Sequence, residues 1–172
     1  MGRTRTTKKS QGLKLNTAKA DRLLEHALTL LQSGEAEEAL PVATKALSHI
    51  HISDIAQLPA LELLGEIYIE LGDPERARQH FLRAAKLDPD ASLPLAQGGG
   101  ADKFLWLAQL SEAGGADSVA WFEKGATVLR AAVAAHEGNV QTEEEEVLLE
   151  LERRKLANAL CGAAEVYMTD LS

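Results

Sequence analysis

Aromatic residues are scarce in this chain, at 4% of its 172 positions. Strand-type alternation of apolar and polar residues is absent too, which argues against a core built on sheets. There is one cysteine, Cys161, so no internal disulfide can form, and that suits a reducing compartment. No apolar run approaches the roughly 20 residues of a membrane-spanning helix, and the N-terminus has no signal-peptide apolar core. Acid is missing from the opening segment, residues 1–20, where Arg3, Arg5, Lys8, Lys9, Lys14 and Lys19 give +6. The whole chain carries −8, so removing those six positive charges leaves −14 on residues 21–172. A body so acidic disfavours nucleic acid and favours a basic partner. The opening "MGRTRTTKKSQG" is polar and aperiodic, so residues 1–15 are expected to be a disordered basic tail. A nuclear-import signal or a nucleic-acid contact is conceivable there, but a solvated tail is the simpler reading.

What the chain does have is Ala and Leu at helical spacing. "LLGEIYIELGDPERARQHFLRAAKLDP", residues 63–89, is its most legible stretch. Leu64, Ile67, Tyr68 and Leu71 recur at three- and four-residue intervals and so share a helix face. Gly72-Asp73-Pro74 stops that helix. Pro74 suits the first turn of the next one, and Asp73 is placed to cap it. Ala77, Phe81, Ala84, Ala85 and Leu87 form a second stripe, in which small Ala77 and Ala84 bracket bulky Phe81. Asp88-Pro89 closes the pair. Leu64, Gly65, Tyr68, Ala77, Phe81, Ala84 and Pro89 together resemble the tetratricopeptide repeat of about 34 residues, with its L-G-x2-Y, A-x3-F and closing Pro. Leu61 replaces the signature Trp.

One such unit shows an apolar face to its neighbour and is unstable alone. Upstream, Leu23, Ala27, Leu30, Gly34, Ala39 and Ala46 follow one another at the same intervals as Leu61, Gly65, Tyr68, Gly72, Ala77 and Ala84. Downstream, Phe104, Leu107, Ala108, Phe122 and Gly125 outline a third unit with a longer turn. Leu160, Ala163, Ala164 and Tyr167 fit another first helix. The expected fold is therefore all-α, a tetratricopeptide superhelix over residues 16–172. Helices are expected near 20–33 and 36–50, 57–71 and 75–87, 102–113 and 117–136, with one long helix from about 142. The last repeat is incomplete in this chain, which leads us to expect further repeats beyond it.

In a tetratricopeptide superhelix the first helix of each pair lines the concave groove, as that resemblance implies. Glu62, Glu66 and Glu70 lie at i, i+4 and i+8 in the second unit, so three carboxylates stack along one side of its first helix. Like charges so placed repel by a few tenths of a kcal/mol per pair. Nothing in the helix's own folding asks for them. Asp21, Asp102, Glu112 and Glu165 fall at comparable positions in the other units. For any single one of these an ordinary solvated face is the simpler reading; the row of three is what suggests a binding surface. Trp106 is a candidate anchor in the same groove, while Trp121 is expected to pack with Phe122.

Other features point to structure. The acids Glu143 to Glu146 favour a helix N-terminus. His49 and His51 lack a third ligand at convincing spacing. Cys161 reads as a small core residue, and Gly98 to Gly100 as a linker rather than a phosphate loop. No catalytic constellation, metal site or cofactor site is evident.

Two binding roles compete. A co-chaperone adaptor of this fold grips a C-terminal carboxylate with Lys, Asn and Arg on its first helices. Here Leu24, Leu28, Leu63, Asp102 and Trp106 hold the equivalent places, and neither acid nor aliphatic groups bind a carboxylate. A general adaptor for another complex remains the alternative. "LGEIYIELGDPERARQHFLRAAKLDPD" followed by "ADKFLWLAQLSEAGGADSVAWFEKGATVLR" resembles the fungal assembly chaperones dedicated to large-subunit ribosomal protein L-four. The likeness covers roughly residues 15–172, and Phe104–Trp106 and Trp121–Phe122 are its more specific parts. It implies a non-enzymatic monomer without cofactor that captures the internal loop of the new basic ribosomal protein. It also implies travel with that cargo from cytoplasm to nuclear pre-ribosomes. No membrane contact and no direct nucleic-acid contact by the repeat body are expected.

Overall fold

A computed structural model of the chain describes residues 4–51, 54–111 and 114–170, with side chains from residue 18 onward except Ala96. Seven α-helices follow one another: α1 (Thr4–Gln32), α2 (Ala36–Ser48), α3 (Leu58–Glu70), α4 (Pro74–Leu87), α5 (Asp102–Gln109), α6 (Gly115–Glu137) and α7 (Glu143–Thr169). Short 3₁₀ turns at Ile55–Gln57 and Leu95–Gln97 precede α3 and α5. No strand occurs among the described residues, in line with the expected all-α class. Two compact units are formed, Met1–Leu87 and Asp88–Ser172.

In the first unit α1 pairs with α2 and α3 with α4. The two turns are copies of one another. Gly34 and Gly72 both take positive φ, +80° and +71°, which a side chain would resist. The next residue then reaches back five positions, Glu35 N–H to the Leu30 carbonyl and Asp73 N–H to that of Tyr68, each at 2.9 Å. Carbonyls left over at the helix end are satisfied in this way. Asp73 does cap α4: its Oδ1 accepts from the Arg76 N–H at 3.0 Å. Small residues let the first pair approach closely, with Ala27, Ala39, Ala43 and Ala46 all fully buried.

In the second pair the same closeness depends on Gly65. A Cβ added there would stand 2.5 Å from Phe81 Cζ and within 2.7 Å of both neighbouring ring carbons. Phe81 is 1% exposed, so the ring has no room to swing aside. Tyr68 stacks on His80 with ring centroids 5.4 Å apart. Burial, and next the charge of Arg83, lower the His80 pKa below its ordinary value of 6.5.

The second unit is built from α5, α6 and α7, packed in sequence. Phe104, Leu107, Phe122, Ala126, Leu129 and Ala159 are buried at its centre. Two more bare backbones recur here. A Cβ on Gly162 of α7 would meet Phe122 at 2.6 Å, and one on Gly125 of α6 would meet Leu105 at 2.6 Å. Helix α7 starts with a capping box, in which the Thr142 hydroxyl accepts from Glu145 N–H at 3.2 Å. Glu145 in turn accepts from the backbone of Gln141 and Thr142, which holds its carboxyl below the usual range. The four acids of that first turn thus serve the helix start as expected.

Three expectations need correction. Helix α1 begins at Thr4 and so runs through the segment expected to be a disordered tail. Residues 4–32 contain no proline, and their many Lys, Arg, Gln and Leu residues tolerate a helix. Helix α5 stops at Gln109 rather than near 113, because the Ser118 hydroxyl donates to the Ala108 carbonyl at 2.7 Å and closes the helix end from α6. Cys161 is exposed rather than in the core. Its buried neighbours on α7, Ala159 and Ala163, lie two residues away on either side, and such a step crosses to the far face. Trp121 does pack beside the cluster containing Phe122, and its ring also stacks on Phe104 at 6.1 Å.

The glycine contact is testable by urea unfolding. Gly65→Ala should cost about 1–3 kcal/mol through overpacking, and Phe81→Ala about 3–5 kcal/mol through the cavity it leaves. Shortening the ring in Gly65→Ala/Phe81→Leu should recover part of the glycine cost. A Gly65→Ala loss below about 0.5 kcal/mol would show that the backbones need not be this close.

Candidate partner-binding surface

Helix α3 is buried on most of its girth: seven of its 13 residues, from Leu58 to Ile67, are inaccessible. Its acidic row shares the accessible part that remains with Pro59, Tyr68 and Ile69. Glu62 and Glu66 are half-buried and Glu70 is exposed at the helix end. Glu62 and Glu66 also interact within the chain, so part of their charge is engaged at home. The three carboxylates lie at the helical spacing expected, beside the packed residues Leu63 and Ile67.

The candidates in the second unit have different surroundings. Asp102, in the first turn of α5, receives Lys155 Nζ of α7 at 2.7 Å. It is a tie between helices, with its side chain 45% exposed. Trp106 is half-buried on α5 and interacts within the chain. Glu165 is exposed on α7. Glu112 lies outside the described residues. Asp21, on α1, is exposed.

Much acid in this unit is matched internally. His136 Nδ1 meets Glu152 Oε2 at 2.8 Å, which joins α6 to α7. Arg153 bridges Glu137 of α6 and Glu150 of α7 at 2.8 and 2.9 Å, and these bonds raise its already high pKa. The Arg153 pairs are exposed and screened by water, so they add little stability. Their larger consequence is that fewer carboxylates are left for a partner.

Sequence reasoning missed one buried pair entirely. Lys103 Nζ lies 3.2 Å from Asp88 Oδ2, and the two side chains are 0% and 1% exposed. Lys103 also donates to the Gly100 carbonyl at 3.0 Å, while Asp88 Oδ1 accepts from Ser92 N–H at 2.8 Å. Together they pin the segment between Asp88 and α5. That segment is crowded: a Cβ on Gly99 would fall 1.7 Å from the Leu93 carbonyl oxygen. Lys103 follows Asp102 at a helix start and so reads as ordinary surface charge, and a partner as remote along the chain as Asp88 leaves no periodic signal.

Among the described residues no group of three or more His, Cys, Asp or Glu side chains is placed to hold a metal ion. No helix there is long and apolar enough to cross a membrane. Removing one partner of the buried pair should be costly, because the other charge stays desolvated. Lys103→Met should destabilise the chain by about 3–5 kcal/mol, measured by urea unfolding. Adding Asp88→Asn should restore part of that loss. A Lys103→Met cost below about 1 kcal/mol would mean that water reaches Asp88.

Comparison with known proteins agrees with this architecture. Residues 59–91 match the tetratricopeptide repeat family. A probable assembly chaperone of rpl4 from Emericella nidulans is 56% identical over 109 residues, 63% of this chain and 28% of that protein. Another from Schizosaccharomyces pombe is 34% identical over 141 residues, 82% of this chain and 37% of that protein. Among solved structures, an assembly chaperone of RpL4 (Acl4, residues 1–338) matches with a TM-score of 0.84 at 49% identity, over 89% of this chain and 56% of that one. The chain spans about a third of the length of the curated relatives it matches. Residues 59–91 carry a tetratricopeptide repeat, and the chain resembles, over most of its own length, the assembly chaperones of rpl4.

Proposed function

We propose that this chain is a dedicated, non-enzymatic chaperone for a basic ribosomal protein, large-subunit protein L-four. It binds the internal loop of the newly made protein, keeps it soluble and accompanies it from the cytoplasm to nuclear pre-ribosomes. The observation that carries this reading is the likeness to Acl4, at 49% identity and a TM-score of 0.84. The chain acts as a monomer and needs no cofactor, and its repeat body does not contact nucleic acid directly.

Charge supports the choice of partner. Residues 21–172 carry −14 once the six positive charges of the opening segment are set apart from the total of −8. Glu62, Glu66 and Glu70 form the acidic strip of the first unit, and we assign them the central contact with Lys and Arg of the loop. Trp106 and Glu165 extend the contact in the second unit. Asp102 contributes less, since Lys155 already neutralises it. Glu112 stays in the proposed set on its sequence position alone.

Reversing the strip tests this assignment. Glu62→Lys/Glu66→Lys/Glu70→Lys should leave the helix spectrum nearly unchanged and weaken capture of the ribosomal protein sharply, because each attraction becomes a repulsion. A single reversal at the exposed Glu70 should be nearly silent, as exposed pairs are worth ~0–1 kcal/mol. Affinity of the parent chain should fall from low to physiological salt, where charges are screened over about 8–10 Å. Equal binding by the triple variant and the parent at both salt levels would remove the strip from the contact.

A further inference from the structure

A cleft of about 500 Å³ opens in the second unit, between the segment that precedes α5 and the facing sides of α6 and α7. Its lining is mainly aliphatic: Leu93 and Leu95 from the segment, Val128 and Leu129 from α6, Leu148 and Leu151 from α7. Leu95 is 54% exposed, an apolar side chain left standing at the surface of this unit. Polar groups also line it. Asp102 is tied to Lys155 and Glu152 to His136, so Asp90, exposed in the lining, is the carboxylate that gives the cleft its acidic edge. The Asp102–Lys155 ion pair at 2.7 Å and the His136–Glu152 hydrogen bond at 2.8 Å hold α5 and α6 against α7 and keep the cleft preformed.

An aliphatic pocket with an acidic rim selects for two features at once. A large apolar side chain gains from leaving water, and cations beside it meet the rim. In an extended peptide, residues i and i+2 point to the same side. We infer that the cleft receives an aliphatic side chain of an extended partner segment, with Lys or Arg two residues to either side of it. This rests on the reading above that the partner is a basic protein, and it supplies a specificity that the acidic strip alone lacks. A row of carboxylates accepts any cationic chain, whereas the cleft distinguishes one cationic sequence from another by shape.

Two labelled peptides built on Lys-Ser-Leu-Ser-Lys and Lys-Ser-Ser-Ser-Lys carry the same charge and differ in the one aliphatic side chain. The parent chain should bind the Leu peptide about tenfold or more tighter, by fluorescence anisotropy, with shifts at the methyl groups of Leu148 and Leu151. Ala131 is exposed on α6 and lines the cleft, so Ala131→Phe should fill the cleft and abolish the preference. Asp90→Lys, outside the helices, should weaken both peptides and tests the rim even if Ala131→Phe does not fold. Equal binding of the two peptides by the parent, a preference that survives in folded Ala131→Phe, or no effect of Asp90→Lys would overturn the inference. A parent that captures the ribosomal protein but does not separate the peptides refutes the cleft and leaves the proposed function standing. A parent that separates the peptides but fails to capture the ribosomal protein supports the cleft and refutes that function.

Discussion

Close approach of helix backbones over a bare glycine is the constraint on which the rest of this structure depends. Gly65 lies under the Phe81 ring, Gly162 under that of Phe122 and Gly125 under Leu105. Each contact sets one helix deep against the next, and at Gly65 any side chain would collide with a buried ring that cannot retreat. The first pair reaches the same end by another route, with Ala27 against Ala39 and Ala43. Few aromatics are needed in such a core, because the backbone itself supplies much of the packing surface.

Deep packing also decides where polar groups can go. On α3 the buried residues leave six positions with some access to water, and carboxylates occupy three of them. In the second unit the acids are largely matched, Asp102 with Lys155, Glu152 with His136, and Glu137 and Glu150 with Arg153. Net charge therefore overstates the acid free to meet a partner. On the proposed function, binding strength comes from a few positions plus apolar contact rather than from the total of −14 on residues 21–172.

The helix pairs were legible because the physics that makes them is local and periodic. Gly72-Asp73-Pro74 announces a left-handed stop, a cap and a first helical turn, and all three are in place. The relation of Phe81 to Ala77 and Ala84 followed from the same period. Non-local polar contacts were not legible. Asp88 and Lys103 find each other across an irregular segment, and the Asp102–Lys155 tie joins two helices far apart in the chain. Helix α7 misled for another reason: its small and apolar residues run round the helix. Leu160, Ala163, Ala164 and Tyr167 therefore stood out as a face although Ala159 and Ala163 are buried and Leu160 and Tyr167 exposed, and Cys161 was placed inside. The acidic row was visible as spacing, but its partial engagement within the chain was not.

Solubility of the partner is the most direct measure of the central claim. Large-subunit ribosomal protein L-four, diluted from denaturant at physiological salt, should stay in the supernatant with an equimolar amount of this chain and sediment without it. A loop-deleted form of the ribosomal protein should gain nothing from the chain. If the intact ribosomal protein sediments equally with and without the chain, or if the loop-deleted form is protected just as well, the chain is not a chaperone of that loop.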